Sequence, residues 1–275
     1  MIHPSDTSPE ATRILDGVYR RMSPARKWAL MGDLYRTGRR LHAAGVRLRE
    51  PNATPAQVHA RWVADHVGDC PGLERQDGAA GMDQPTENLL VLHEVLAAFE
   101  SLGIAYAIGG SLASGIHGIT RYTSDADVSV EPFEGREKEL AARFGPDYYV
   151  SVDAIRQALR DRATFNIINT SVGFKVDVFI RKDRPFDRSM MARRVFATMA
   201  DAPDRPIAIV TAEDSILLKL EWYRLGGEMS DRQWSDILGI FRVQAGRLDP
   251  AYLDRWAAEL GVADLLAGAR RDAGL

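Results

Sequence analysis

Residues 104–131 read IAYAIGGSLASGIHGITRYTSDADVSVE, and the way this stretch divides decides the fold. Ile104 to Ile108 is a short apolar run bounded by Gly103 and Gly109, which predicts a buried strand. Gly109 and Gly110 let the backbone turn sharply and approach a ligand closely, and Ser111 is placed to cap a helix from Leu112 to His117. A helix start exposes unpaired N–H groups, where a phosphate can sit. In the tail DADVSV the residues alternate, so Asp125 and Asp127 project from one face of a strand while Ala126, Val128 and Val130 pack on the other. Two carboxylates side by side repel one another unless a cation lies between them. Turn, helix start and paired aspartates together describe a metal-dependent phosphate site.

Downstream, Gly135 to Phe144 and Ala154 to Arg160 read as helices and Tyr148 to Val152 as a short strand. Phe165 to Asn169 and Phe174 to Ile180 are β-rich runs joined by Thr-Ser-Val-Gly, which predicts a hairpin. In the second run Phe174, Val176, Val178 and Ile180 share one face, leaving Lys175 and Asp177 on the other. Taken singly, Gly109-Gly110 is an ordinary strand-to-helix turn and the Asp125/Asp127 pair suits any loop. Asp177 changes the reading, because a lone carboxylate rarely belongs in a core strand. A charged loop, a helix near Phe186 to Val195 and a strand from Pro206 to Val210 follow. Thr211 with Asp214, Ser230, and Asp249-Pro250 then mark three C-terminal helix starts.

Upstream, residues 9–68 read as about three helices, with Ser23-Pro24 and Thr54-Pro55 as starts. Residues 71–86 are rich in Gly, Pro and charge without periodicity and form the expected linker, after which Thr86 caps a helix with Leu89, Leu92, Leu96 and Phe99 on one stripe. The expected organisation is a helical module over 1–70, the linker over 71–86, an α/β core over 87–210 and a helical subdomain over 211–275. The 275 residues, 45% of them apolar, suffice for a sizeable core. A net charge of −3 does not mark the whole chain as a nucleic-acid binder, although residues 1–70 carry 11 Lys and Arg against 7 Asp and Glu. Cys70 is the single cysteine, so no disulfide framework and no cysteine zinc site can form within one chain. The N-terminus lacks signal-peptide character and no apolar run approaches a membrane span, so a soluble, cytoplasmic protein without membrane contact is expected.

The segments GGSLASGIHGITRYTSDADVSV and FKVDVFI resemble the signature of the DNA polymerase beta-like nucleotidyltransferase superfamily. TAEDSILLKLEWYRLGGEMSDRQWSDILGIF is similar to the C-terminal helices of AbiEii-type and related small bacterial nucleotidyltransferases, so the resemblance covers about 87–270. It implies an α+β nucleotidyltransferase fold, a small mixed β-sheet flanked by helices with helical modules at both ends. It further implies NTP as substrate, with ATP binding among the expectations and the base preference left open, and two Mg2+ ions held by Asp125, Asp127 and Asp177. Gly109, Gly110, Ser111 and Lys219 are carried over as triphosphate contacts and Asp236 as a site carboxylate. Arg121 and Thr123, just before the aspartate pair, are further candidates for contact with phosphate or acceptor, and equally plain surface residues. Lys219 lies among leucines, where a lysine also simply reaches for solvent. His117 is expected to pack at a helix end, and Trp222, Tyr223 and Trp234 to belong to a core. Acceptors in keeping with the resemblance are tRNA, a protein hydroxyl or a small molecule such as an antibiotic. The N-terminal helices are similar to partners of such enzymes in toxin-antitoxin systems, which implies an antitoxin-like intramolecular regulator. The competing reading is a non-catalytic module that binds a nucleotide or a partner.

Overall fold

The structure, a computed structural model, describes residues 7–67, 86–199 and 202–275. The expected linker, apart from Thr86, lies outside these residues, as does Cys70. The elements are α1 (Pro9–Arg21), α2 (Pro24–Arg49), α3 (Pro55–Val67), α4 (Glu87–Ser101), β1 (Tyr106–Ile108), α5 (Gly110–His117), β2 (Asp125–Val130), α6 (Glu137–Ala141), β3 (Tyr148–Val150) and α7 (Val152–Asp161). They continue with β4 (Thr164–Asn169), β5 (Phe174–Ile180), α8 (Pro185–Arg193), β6 (Val195–Met199), β7 (Ala202–Ile209), α9 (Ala212–Leu225), α10 (Asp231–Val243), α11 (Pro250–Glu259) and α12 (Ala263–Asp272). This is the expected α+β class. The chain forms two compact units that interleave along the sequence: Met1–Thr37 with Thr86–Gly109 and Tyr122–Arg193, and Gly38–Pro85 with Gly110–Arg121 and Arg194–Leu275.

In the first unit the strands run in the order β3-β4-β5-β2-β1. Only β2 and β5 pair in parallel; β1 with β2, β3 with β4 and β4 with β5 are antiparallel. The hairpin between β4 and β5 forms as expected. Its turn is closed by the Asn169 side chain, which accepts from the N–H groups of Ser171 and Val172, and by Gly173 at φ +76, a left-handed conformation that suits glycine. Ala126, Val128 and Val130 are fully buried between half-buried neighbours, as the alternation in β2 predicts, whereas in β5 Lys175 and Asp177 are buried along with Val176 and Val178. Helix α4 packs on β5 and α7 on β4 and β5. Its stripe of Leu89, Leu92, Leu96 and Phe99 is buried, each large side chain contributing about 1.5–3 kcal/mol. Thr86 stands at the N-cap of α4 but makes no capping bond there; its hydroxyl pairs with that of Thr37 at 2.8 Å. Helix α1, capped by Ser8, lies against β4, and its Tyr19 hydroxyl donates at 2.9 Å to the carbonyl of Gly173 in the turn that follows.

The second unit is mainly helical. Helices α5, α9 and α10 pack against one another, and α11 and α12 join α9 and α10. A Cβ at Gly45 of α2 would stand 1.9 Å from the Ile116 carbonyl oxygen, so glycine is what lets α2 lie directly on α5. The cap expected at Thr211 forms: its hydroxyl accepts from Asp214 N–H and lies 2.8 Å from Asp214 Oδ2. Ser230 and Asp249 likewise cap α10 and α11. Two elements differ from expectation. The helix near Phe186 stops at Arg193 and Val195 opens β6, which pairs with β7, and α12 follows without any start signal read beforehand. Val195–Met199 is short: Ala197 and Met199 are buried while Phe196 is exposed, and antiparallel pairing with β7 makes the segment a strand.

Candidate active site

On the carboxylate side of the first unit the register is specific. Asp125 lies opposite Lys175 and Asp127 opposite Asp177 on the parallel neighbours β2 and β5, so all four project from one face. Asn166 of β4 lies opposite Asp177. Asp177 is fully buried, and both its oxygens are engaged: Oδ1 accepts from Asn166 Nδ2 at 2.6 Å and Oδ2 from Lys175 Nζ. A buried carboxylate keeps its charge only with such partners. The Lys175 ammonium also donates to Thr7 Oγ1 at 2.6 Å and lies 4.0 Å from Asp125 Oδ2. Asn166 Oδ1 in turn accepts from the Ser8 N–H at 3.1 Å, which fixes the amide so that its nitrogen points at Asp177. The Asp125 side chain is 41% exposed and accepts from the Thr123 hydroxyl at 2.7 Å. Burial, and after it the charge of Asp125, push the Tyr19 hydroxyl above its ordinary pKa. Gly109 closes β1 by donating its N–H to the Asp127 carbonyl at 2.8 Å.

In the second unit Gly110, at φ +52, opens α5. The next residue, Ser111, accepts a hydrogen bond from Arg121 Nη2. Arg121 also donates through Nε and Nη2 to Asp236, at 2.9 and 3.1 Å. Lys219 Nζ reaches the same carboxylate at 2.8 Å. Lys219 and Asp236 are almost completely buried, whereas the Arg121 side chain is 35% exposed. Two cations thus share one carboxylate beside the start of a helix, and the cluster keeps an excess of positive charge. His117 ends α5 as a packing residue: its Nε2 meets the Val210 carbonyl at 2.7 Å and burial lowers its pKa to about 4, so the ring is neutral near pH 7 and donates that hydrogen bond. The rings of Tyr223 and Trp234 lie tilted at 34° with centroids 5.1 Å apart, and both residues, like Trp222, are half-buried and not part of the core expected for them.

The residues expected from the sequence therefore fall into two groups. Gly109, Thr123, Asp125, Asp127 and Asp177 gather in the first unit and Gly110, Ser111, Arg121, Lys219 and Asp236 in the second. Lys175 and Asn166 had no expected role. Lys175 was detectable from its place two residues before Asp177 on one strand face; Asn166 becomes visible only once β4 pairs with β5. As to a divalent cation, the hard oxygen donors Asp125 and Asp127 have the right chemistry. Among the described residues no three acidic, histidine or cysteine side chains converge to enclose an ion. Asp177 is drawn instead to Lys175 and Asn166. Among the described residues no helix is long and apolar enough to cross a membrane.

No protein-family model matches the sequence, and comparison with curated proteins returns no match. Among solved structures, the chain is similar to the solution structure of the antibiotic-resistance factor ANT(2'')-Ia, with a TM-score of 0.42 at 15% identity over 68% of this chain and 98% of that one. A crystal structure of ANT(2'')-Ia in complex with adenylyl-2''-tobramycin gives a TM-score of 0.40 at 15% identity over 64% of this chain and 98% of that one.

Proposed function

We propose that the protein is a nucleotidyltransferase that moves a nucleoside monophosphate from an NTP to an acceptor hydroxyl and releases pyrophosphate. The observation that carries this reading is the β2/β5 register, which sets Asp127 directly beside Asp177 with Asp125 on the same face. Carboxylates are placed in adjacent core strands at a cost of mutual repulsion, and the chemistry that repays it is the holding of a cation at a phosphate. Asp125 and Asp127 would hold Mg2+, which when bound neutralises charge developing on the triphosphate. Thr123 orients the Asp125 carboxylate through its hydroxyl, and Asn166 and Lys175 fix Asp177 toward the same face. Within the second unit, Ser111, Arg121 and Lys219 form a cluster with the donors and charge that suit a phosphate, and Asp236 is the positioning residue that holds both cations. Thr7 and Ser8, just before α1, touch Lys175 and Asn166, which is the contact through which the N-terminal segment would act on the carboxylate face.

Incubating the full chain with Mg2+, each labelled NTP and cell extract tests the reading. We expect label in one product class: tRNA or other RNA, protein, or a small hydroxylated molecule such as an antibiotic. Nucleotide binding with no transfer from any NTP would replace it with the non-catalytic module.

A further inference from the structure

The buried lysine on the carboxylate face has no part in the metal set that the three aspartates suggest, yet the architecture around it is complete. Its ammonium is nine-tenths buried, donates to Asp177 Oδ2 and Thr7 Oγ1, and stands 4.0 Å from Asp125 Oδ2. An ammonium is withdrawn from water at a cost of several kcal/mol, so it persists there only because the carboxylates around it require a positive charge. Each oxygen of Asp177 already accepts a hydrogen bond, one from Asn166 and one from this lysine, so a metal ion at Asp177 would have to displace or stand beside a fixed ammonium. Three carboxylates together with one ammonium leave an excess of two negative charges, the complement of one divalent ion and not of two.

Resting on the reading of this face as a nucleotidyl-transfer site, we propose that Lys175 takes the place of the second metal ion: the protein's own carboxylates bind a single divalent cation, at Asp125 and Asp127, while the Lys175 ammonium, anchored by Thr7, serves as the fixed cation at Asp177. Lys175 is a positioning residue, because it acts through the Asp177 carboxylate. Strand periodicity makes this possible. Positions 175 and 177 share a face on β5, and the parallel register puts position 175 beside Asp125, so one ammonium reaches both carboxylates. An ammonium in that place needs no loading from solution and does not leave with pyrophosphate.

The test is a titration of the full chain with Mn2+ alone, without nucleotide, the free ion being counted by electron paramagnetic resonance. The wild type is expected to bind one Mn2+, Lys175→Arg one, and Lys175→Met two, because Asp177 then turns to the metal. Two ions in the wild type, or one in a folded Lys175→Met protein, overturns the proposal, and so does a wild type that binds none. The wild-type count decides by itself should Lys175→Met fail to fold. Labelled-NTP transfer by the same preparation separates the two ideas. Two ions with transfer would overturn the lysine's role and leave the nucleotidyltransferase reading standing, whereas one ion without transfer from any NTP would do the reverse.

Discussion

The carboxylate face of the first unit and the cluster around Asp236 in the second are built from the same kinds of side chain in opposite proportion. The first gathers three carboxylates around one ammonium; the second gathers a guanidinium and an ammonium around one carboxylate. Excess negative charge on a strand face calls for a cation, and excess positive charge beside a helix start calls for an anion. The two also differ in how they are held. Strand register fixes the first, so its geometry follows from backbone pairing, whereas side chains from α9, α10 and the segment after α5 meet at Asp236. One face is set by the backbone and the other by the packing of helices, so the same loss of charge should have different consequences.

The largest effect is expected at Asp236. Asp236→Ala leaves the buried Lys219 without its carboxylate and should destabilise the fold by about 3–5 kcal/mol, read in chemical denaturation. Replacing both partners, Lys219→Met with Asp236→Leu, should recover most of that loss while removing the ammonium proposed to meet phosphate. An Asp236→Ala protein as stable as the wild type would mean that the cluster is not held by its carboxylate. On the other face the balance should reverse. Asp127→Asn should lower nucleotidyl transfer by about 100- to 1,000-fold and leave the unfolding midpoint nearly unchanged, since the strand pairing does not depend on the charge. Full transfer by that variant would remove the carboxylate face from the chemistry.

Acid separates the units further. His42 and His117, both in the second unit, have pKa values lowered to about 4, in each case chiefly by burial. The folded state then binds fewer protons than the unfolded chain, whose histidines titrate near 6.5, so stability is complete above pH 6.5 and declines as pH falls from 6.5 toward 4. Fluorescence of the buried Trp62 and Trp256 should report this loosening, and His117→Gln should flatten part of the slope. A slope unchanged by that substitution would assign it to other groups. The smallest effect is expected at Thr123. Thr123→Ala removes one hydrogen bond to Asp125, worth about 1 kcal/mol, and should slow transfer about fivefold with the Mn2+ count unaltered.

Much of the fold could be read from local pattern. The alternation in DADVSV and FKVDVFI gives which side chains share each face of β2 and β5, and Thr211, Ser230 and Asp249 occupy helix caps that their side chains complete. Thr86 shows where local reading stops, because its hydroxyl goes to Thr37 and not to its own helix. Strand β6 shows the same limit, being defined by its partner β7.

The sequence by itself determined which side chains share a strand face and where helices begin, because strand alternation and end capping depend on residues within a few positions of one another. It therefore placed Asp125 with Asp127, and Lys175 with Asp177. Only the tertiary structure decided that β2 runs parallel to β5 with Asp127 opposite Asp177, that Asn166 and Lys175 take up both oxygens of that carboxylate, and that Arg121 and Lys219 share Asp236. These are pairings between residues up to 115 positions apart, and their partners are chosen by register and packing, which no local periodicity encodes.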